Sequence, residues 1–96
     1  MSFAVVASFA VKLEAVARFE IALRSVTETT RQEAGCEQYL IHRNTEKPGG
    51  YFITESYKSH EEYLLHRDSE HIANFRQISA EFFTQPVVIL RGEPAW

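Results

Sequence analysis

The chain has 96 residues, 45% hydrophobic and 24% charged, with a formal net charge of -3. These values bound it to one domain over 1–96, since halving it would leave neither part enough apolar surface to bury. They also offer no basic footprint for a phosphate backbone, so nucleic acid is excluded as a partner.

The first apolar run, Phe3 to Val11, has no Lys or Arg before it and is too short to span a bilayer. It is expected to be neither signal peptide nor membrane helix, which places the protein in the cytoplasm with no membrane partner. FAVVASFAV is interrupted only by Ser8, as suits a strand buried on both faces. From Leu13 the period changes: Val16, Phe19, Leu23, Val26 and Thr30 recur at threes and fours, with charged residues on other faces. That pattern predicts an amphipathic helix, which Gly35 is placed to end in the left-handed conformation. The single cysteine, Cys36, excludes an internal disulfide and a multi-cysteine zinc site, and reads as a buried, inert thiol.

CEQYLIHR and YFITESY are aromatic and β-branched runs separated by NTEKPGG, the signature of a hairpin. Ser59 followed by Glu62 matches a capping box and opens a short helix. Asp68 and Ser69 break it, and a second helix follows whose apolar face is Ile72, Phe75, Ile78 or Ser79, and Phe82. Pro86 stops that helix, and the aliphatic run of PVVILR predicts a last strand with neither face in water. The order βαββααβ predicts an α+β, ferredoxin-like domain with a four-stranded antiparallel sheet and helices on one face. One helical layer leaves the other face of the apolar strands uncovered. A second copy of the chain is expected to cover it in a symmetric homodimer.

HEEYLLHRDSEH, residues 60–71, gathers three histidines, and a metal site is the first reading to test. At about 100° per helical residue, His60 and His66 lie roughly 240° apart. A helix break separates His66 from His71, and no HExxH spacing occurs, so no metal is expected. Acid/base chemistry fits better, because Glu62 lies one turn before His66 and is placed to hold its imidazole or raise its pKa. In YFITESY, Tyr51, Ile53, Glu55 and Tyr57 share one face, so covering that face buries the Glu55 carboxylate among phenols. Such a glutamate either anchors a structural network or serves a function. Tyr39 and Tyr57 are either core aromatics or hydrogen-bond donors to a ligand.

The segments EAGCEQYLIHRN, YFITESYKSHEEYLLHRDSEHIANF and VVASFAVK together resemble the antibiotic biosynthesis monooxygenase domain family. Its pattern is a Glu-Pro-Gly-Cys turn, a Tyr-containing strand, a Glu-x-Trp strand end, and a helix carrying two histidines. The resemblance implies a ferredoxin-like fold in a dimeric α+β barrel, with a small pocket between sheet and helices. Members include oxygenases of phenols and quinols that need neither metal nor flavin. By position, His66 and His71 match the helix histidines and Glu55 the strand glutamate, while Tyr57 stands where many members have Trp. Ala34 replaces the usual Pro before Gly35. The haem-degrading branch is unmatched at Ala7, His66 and Arg76.

The resulting expectation is a cofactor-independent monooxygenase that oxidises a small phenol or quinol with dioxygen. His66 would be the base, Tyr57 and Tyr39 would bind substrate oxygens, and Glu55 would orient a donor. Phe75, Phe82, His71 and Phe52 complete the expected substrate site, although strand alternation can turn Phe52 to the dimer side. An isomerase of a small carbonyl compound, or a noncatalytic dimeric ligand-binding or stress-associated domain, are the alternatives.

Overall fold

A computed structural model describes residues 2–96. Strand β1 (Phe3–Ala10) leads through a 3-10 turn at Leu13–Ala15 into helix α1 (Val16–Arg31). Strands β2 (Cys36–Arg43) and β3 (Gly50–Tyr57) form the hairpin, helices α2 (His60–Arg67) and α3 (Glu70–Ser79) follow, and β4 (Val88–Gly92) closes the order. The sheet is antiparallel in the order β2-β3-β1-β4, a ferredoxin-like α+β fold.

Register fixes what the helices cover. Tyr39, Glu55, Val5 and Arg91 form one cross-sheet row, and Ile41, Ile53, Ala7 and Ile89 form the next. Because side chains alternate along a strand, both rows point to the same face. Helix α1 answers with Phe19, Leu23, Val26 and Thr30, and α3 with Ile72, Phe75 and Ser79. The alternative at the α3 face resolves to Ser79, since Ile78 is exposed. Phe19 is fully buried among the rings of Phe9, Tyr51, Phe75 and Phe83. Burying a side chain of that size contributes about 1.5–3 kcal/mol.

The opposite face is open in the single chain. Leu40, Val88 and Leu90 are 43%, 52% and 64% exposed there, with Phe52 half-buried beside them. β4 is an edge strand with no layer above its outer side in the single chain, which is the face a second copy was expected to cover.

Two local expectations are also corrected. Helix α1 ends at Gln32 in the right-handed region, and Gly49, with φ 77°, is the only positive-φ residue among those described. Gly35 serves packing instead, because a Cβ there would overlap the side chain of Glu62. At α2, the amide of Glu62 donates to Ser59 Oγ at 3.2 Å, the serine half of the capping box, while the Glu62 side chain lies over Gly35.

Candidate functional site

A cavity of about 570 Å³ lies between the helix-facing side of the sheet and α3, closed at one side by residues 83–87. Its walls are mostly apolar: Val5, Ala7, Phe9, Ile53, Ile72, Phe75, Phe83 and Ile89. At one end Tyr39 from β2, Glu55 from β3 and His66 from α2 meet, and Arg67, Arg76, Ser79, Thr84 and Gln85 also line the space. A mostly apolar hollow of this size with a few convergent polar groups suits a small organic ligand. A second cleft of about 340 Å³ beside α1 is less suited. There Arg43 and Tyr51 both bond to Glu20, which leaves those three groups already paired.

His66 is buried and held from both sides. Its Nδ1 lies 2.9 Å from Glu33 Oε2, and its Nε2 lies 3.8 Å from Glu55 Oε1. Burial, the largest influence, lowers the His66 pKa against the opposing pull of Glu33, so the neutral ring is favoured. A carboxylate can only accept, so its position assigns the single ring proton to Nδ1 and leaves the Nε2 lone pair on the cavity side. Burial also raises Glu55, to about 7, with Glu33 adding to the rise and the Tyr57 hydroxyl partly offsetting it. Near neutral pH the cavity end thus holds a proton acceptor and a carboxyl that carries its proton part of the time.

Among the residues expected at the site, Tyr39, Glu55, His66 and Phe75 line the cavity. Four others do not. Tyr57 is fully buried behind Glu55 and donates its hydroxyl to Glu55 Oε1 at 2.6 Å, so it has no proton to offer a substrate. Phe52 projects from the opposite sheet face, stacked on His42 at 4.7 Å between ring centres. Phe82 ends a 3-10 turn and packs inward with the Arg18 guanidinium 5.1 Å over its ring; the chain then becomes extended, and Phe83 takes the cavity wall. His71 lies outside the cavity lining, with its Nε2 2.6 Å from Glu33 Oε2.

Glu33 is the residue that sequence reasoning missed. It sits in the turn after α1, 33 positions from His66, and its one local signal is its place as the Glu of the Glu-Ala-Gly-Cys turn, a motif read only as a turn. The partner expected for His66, Glu62, is drawn away over Gly35. The helix break expected to keep His66 from His71, one ground for expecting no metal, does the opposite. The break at Asp68 and Ser69 redirects the chain so that His66 and His71 converge on Glu33, and ligand atoms of all three lie within 4.8 Å of one another. These are the described residues able to hold a metal ion.

Comparison with known proteins agrees with this architecture. A family model described as antibiotic biosynthesis monooxygenase matches residues 2–78. The fold is similar to that of Rv0793 from Mycobacterium tuberculosis, at 29% identity over 98% of this chain and 95% of that one, with a TM-score of 0.92. It is similar also to a conserved protein from Methanosarcina mazei Go1, at 26% identity over 96% and 91% of the two chains and a TM-score of 0.92. No curated protein matches the chain significantly. No described helix is long and apolar enough to cross a membrane.

Proposed function

The chain belongs to the antibiotic biosynthesis monooxygenase family, and from that premise we propose that it is a monooxygenase oxidising a small phenol or quinol with dioxygen, without metal or flavin in the reaction. The observation that carries this reading is the His66 imidazole at the end of an apolar cavity, with Nδ1 tied to Glu33 and Nε2 facing inward.

Neutral His66 takes the phenolic proton at Nε2, and Glu33 stabilises the imidazolium that results. The substrate anion is electron-rich enough to reduce dioxygen itself. Recombination at carbon gives a hydroperoxide, and its loss of water leaves one oxygen atom as a carbonyl, so that all the electrons come from the substrate. Arg76 lines the cavity and supplies positive charge near the developing anion. Tyr39, also in the lining, is the candidate donor to a substrate oxygen. Glu55, tied to Tyr57, orients that end of the cavity and exchanges a proton with His66 between steps. The open apolar sheet face supports assembly as a homodimer in which two sheets pack face to face.

The test is oxygen uptake by metal-stripped protein over a panel of reduced quinones and polyphenols. Uptake above autoxidation is expected, falling about 10²–10⁴-fold in His66→Ala, the usual contribution of a general base. Uptake unchanged in that variant would remove His66 from the mechanism, and none by the wild type would overturn the oxygenase reading. Two proton-carrying groups 3.8 Å apart also suit an isomerase that moves a proton between neighbouring carbons. Turnover of a small carbonyl compound under anaerobic conditions would favour that second reading.

A further inference from the structure

We propose that Glu33, His66 and His71 bind one divalent transition-metal ion of the zinc type, and that the bound ion withdraws His66 from its role as a base. The first half stands on the donor geometry alone; the second rests on the function proposed above.

The two imidazole nitrogens, His66 Nδ1 and His71 Nε2, lie 2.9 and 2.6 Å from the same oxygen of Glu33. Two nitrogens and a carboxylate oxygen are a donor set that zinc accepts, with water completing the shell. Zinc bonds of about 2.0–2.1 Å in a tetrahedral site place neighbouring donors about 3.3 Å apart. The three atoms already lie within 4.8 Å of one another, so small side-chain movements complete the site.

In the metal-free arrangement two ring N–H groups converge on one carboxylate oxygen, occupying the place a cation would take. Exchange at His66 requires only that the ring proton move to the other nitrogen. For His66 that other nitrogen is Nε2, which has the Glu55 carboxyl 3.8 Å away. A carboxylate behind a ligating histidine is the common supporting partner that fixes the ring and its tautomer. Ser69 Oγ donates its proton to the His66 carbonyl and lies 3.3 Å from His71 Nε2, which leaves an oxygen lone pair beside the site. The Glu33 and His71 side chains are 19% and 21% exposed, so an ion reaches them from solvent without passing through the cavity.

The consequence for the cavity follows from the ring itself. A metal on Nδ1 requires the proton on Nε2, and the lone pair that would accept a substrate proton disappears. Zinc occupancy and base catalysis by His66 therefore exclude one another.

The experiment is calorimetric titration of metal-stripped protein with Zn²⁺, alongside Co²⁺ absorption and ¹⁵N spectra of labelled histidines. One equivalent should bind with a Kd of about 10 μM or tighter, cobalt should give a tetrahedral d–d spectrum, and His66 Nδ1 and His71 Nε2 should show metal-bound shifts. Glu33→Gln and His71→Ala should each weaken binding by about 100-fold or more, whereas His60→Ala on the exposed start of α2 should not. No saturable binding, or shifts at other nitrogens, would overturn the site, and the wild-type spectra decide this even if a variant misfolds. Oxygen uptake should fall in step with zinc occupancy. Zinc binding with undiminished uptake would sink the second half alone. Zinc binding by a protein without oxygenase activity would defeat the proposed function and leave the site standing; uptake without zinc binding would do the reverse.

Discussion

Glu55 shows how one buried carboxyl joins structure to chemistry. Period-two alternation in YFITESY places it on the covered face with Tyr51, Ile53 and Tyr57, and all four are buried. Burial lifts its pKa from the ordinary 4.5 to about 7. Between those values the folded state holds a proton that the unfolded chain has released, so stability falls as pH rises through this window. Glu55→Gln keeps an acceptor for the Tyr57 hydroxyl and removes the titration. Denaturant unfolding of metal-free protein at pH 4.5 and 8 should therefore show the wild type losing up to about 3 kcal/mol relative to this variant. Parallel pH profiles for the two proteins would show that Glu55 ionises as freely in the fold as outside it. His66 lies 3.8 Å from Glu55 and titrates in both proteins, so the difference between the profiles reports Glu55 together with its coupling to His66. That Glu55 would be buried beside Tyr57 was legible from strand alternation, whereas its place in one site with His66 came only from the family resemblance. The part of Glu33 was not legible, because the approach of residues 33 positions apart is set by how α2 docks on the turn before β2.

At the level of elements, the helix and strand periods and the hairpin punctuation gave bounds close to those observed, because each depends on local chemistry. Cys36–Arg43 forms the expected strand in full, and α2 breaks where Asp68 and Ser69 predicted. Gly35 is the instructive failure. A glycine soon after a helix usually supplies left-handed backbone, yet here it makes room for Glu62 from another element. Gly35→Ala should consequently destabilise the protein by about 1–3 kcal/mol, the usual cost of overpacking. A melting temperature equal to that of the wild type would show that Glu62 simply swings aside. The capping pair misled for the same reason: Ser59 acts as expected, while the Glu62 side chain is claimed by a tertiary contact.

The molecule as a whole has one fully built layer boundary and one left open. Helices α1 and α3 close the first, and Leu40, Phe52, Val88 and Leu90 mark the second. If a second copy covers that face, a charge at its centre should split the pair. Leu90→Glu is expected to turn a dimer into a monomer in gel filtration with light scattering, while far-UV circular dichroism is retained. A wild-type protein that is monomeric at tens of micromolar would count against the dimer. By itself, the sequence determined the element order, the fold class and the apolar second face, since these follow from periodicity and residue type along the chain, and its motifs carried the resemblance to the family. Only the tertiary structure decided that Glu33 rather than Glu62 holds His66, that Tyr57 supports Glu55 from behind, that Phe83 replaces Phe82 in the cavity wall, and that two histidines meet at one carboxylate. The contacts of Glu33 with the two histidines join residues 33 and 38 positions apart, and the other two, though local in sequence, are set by how the helices and the 3-10 turn pack over the sheet.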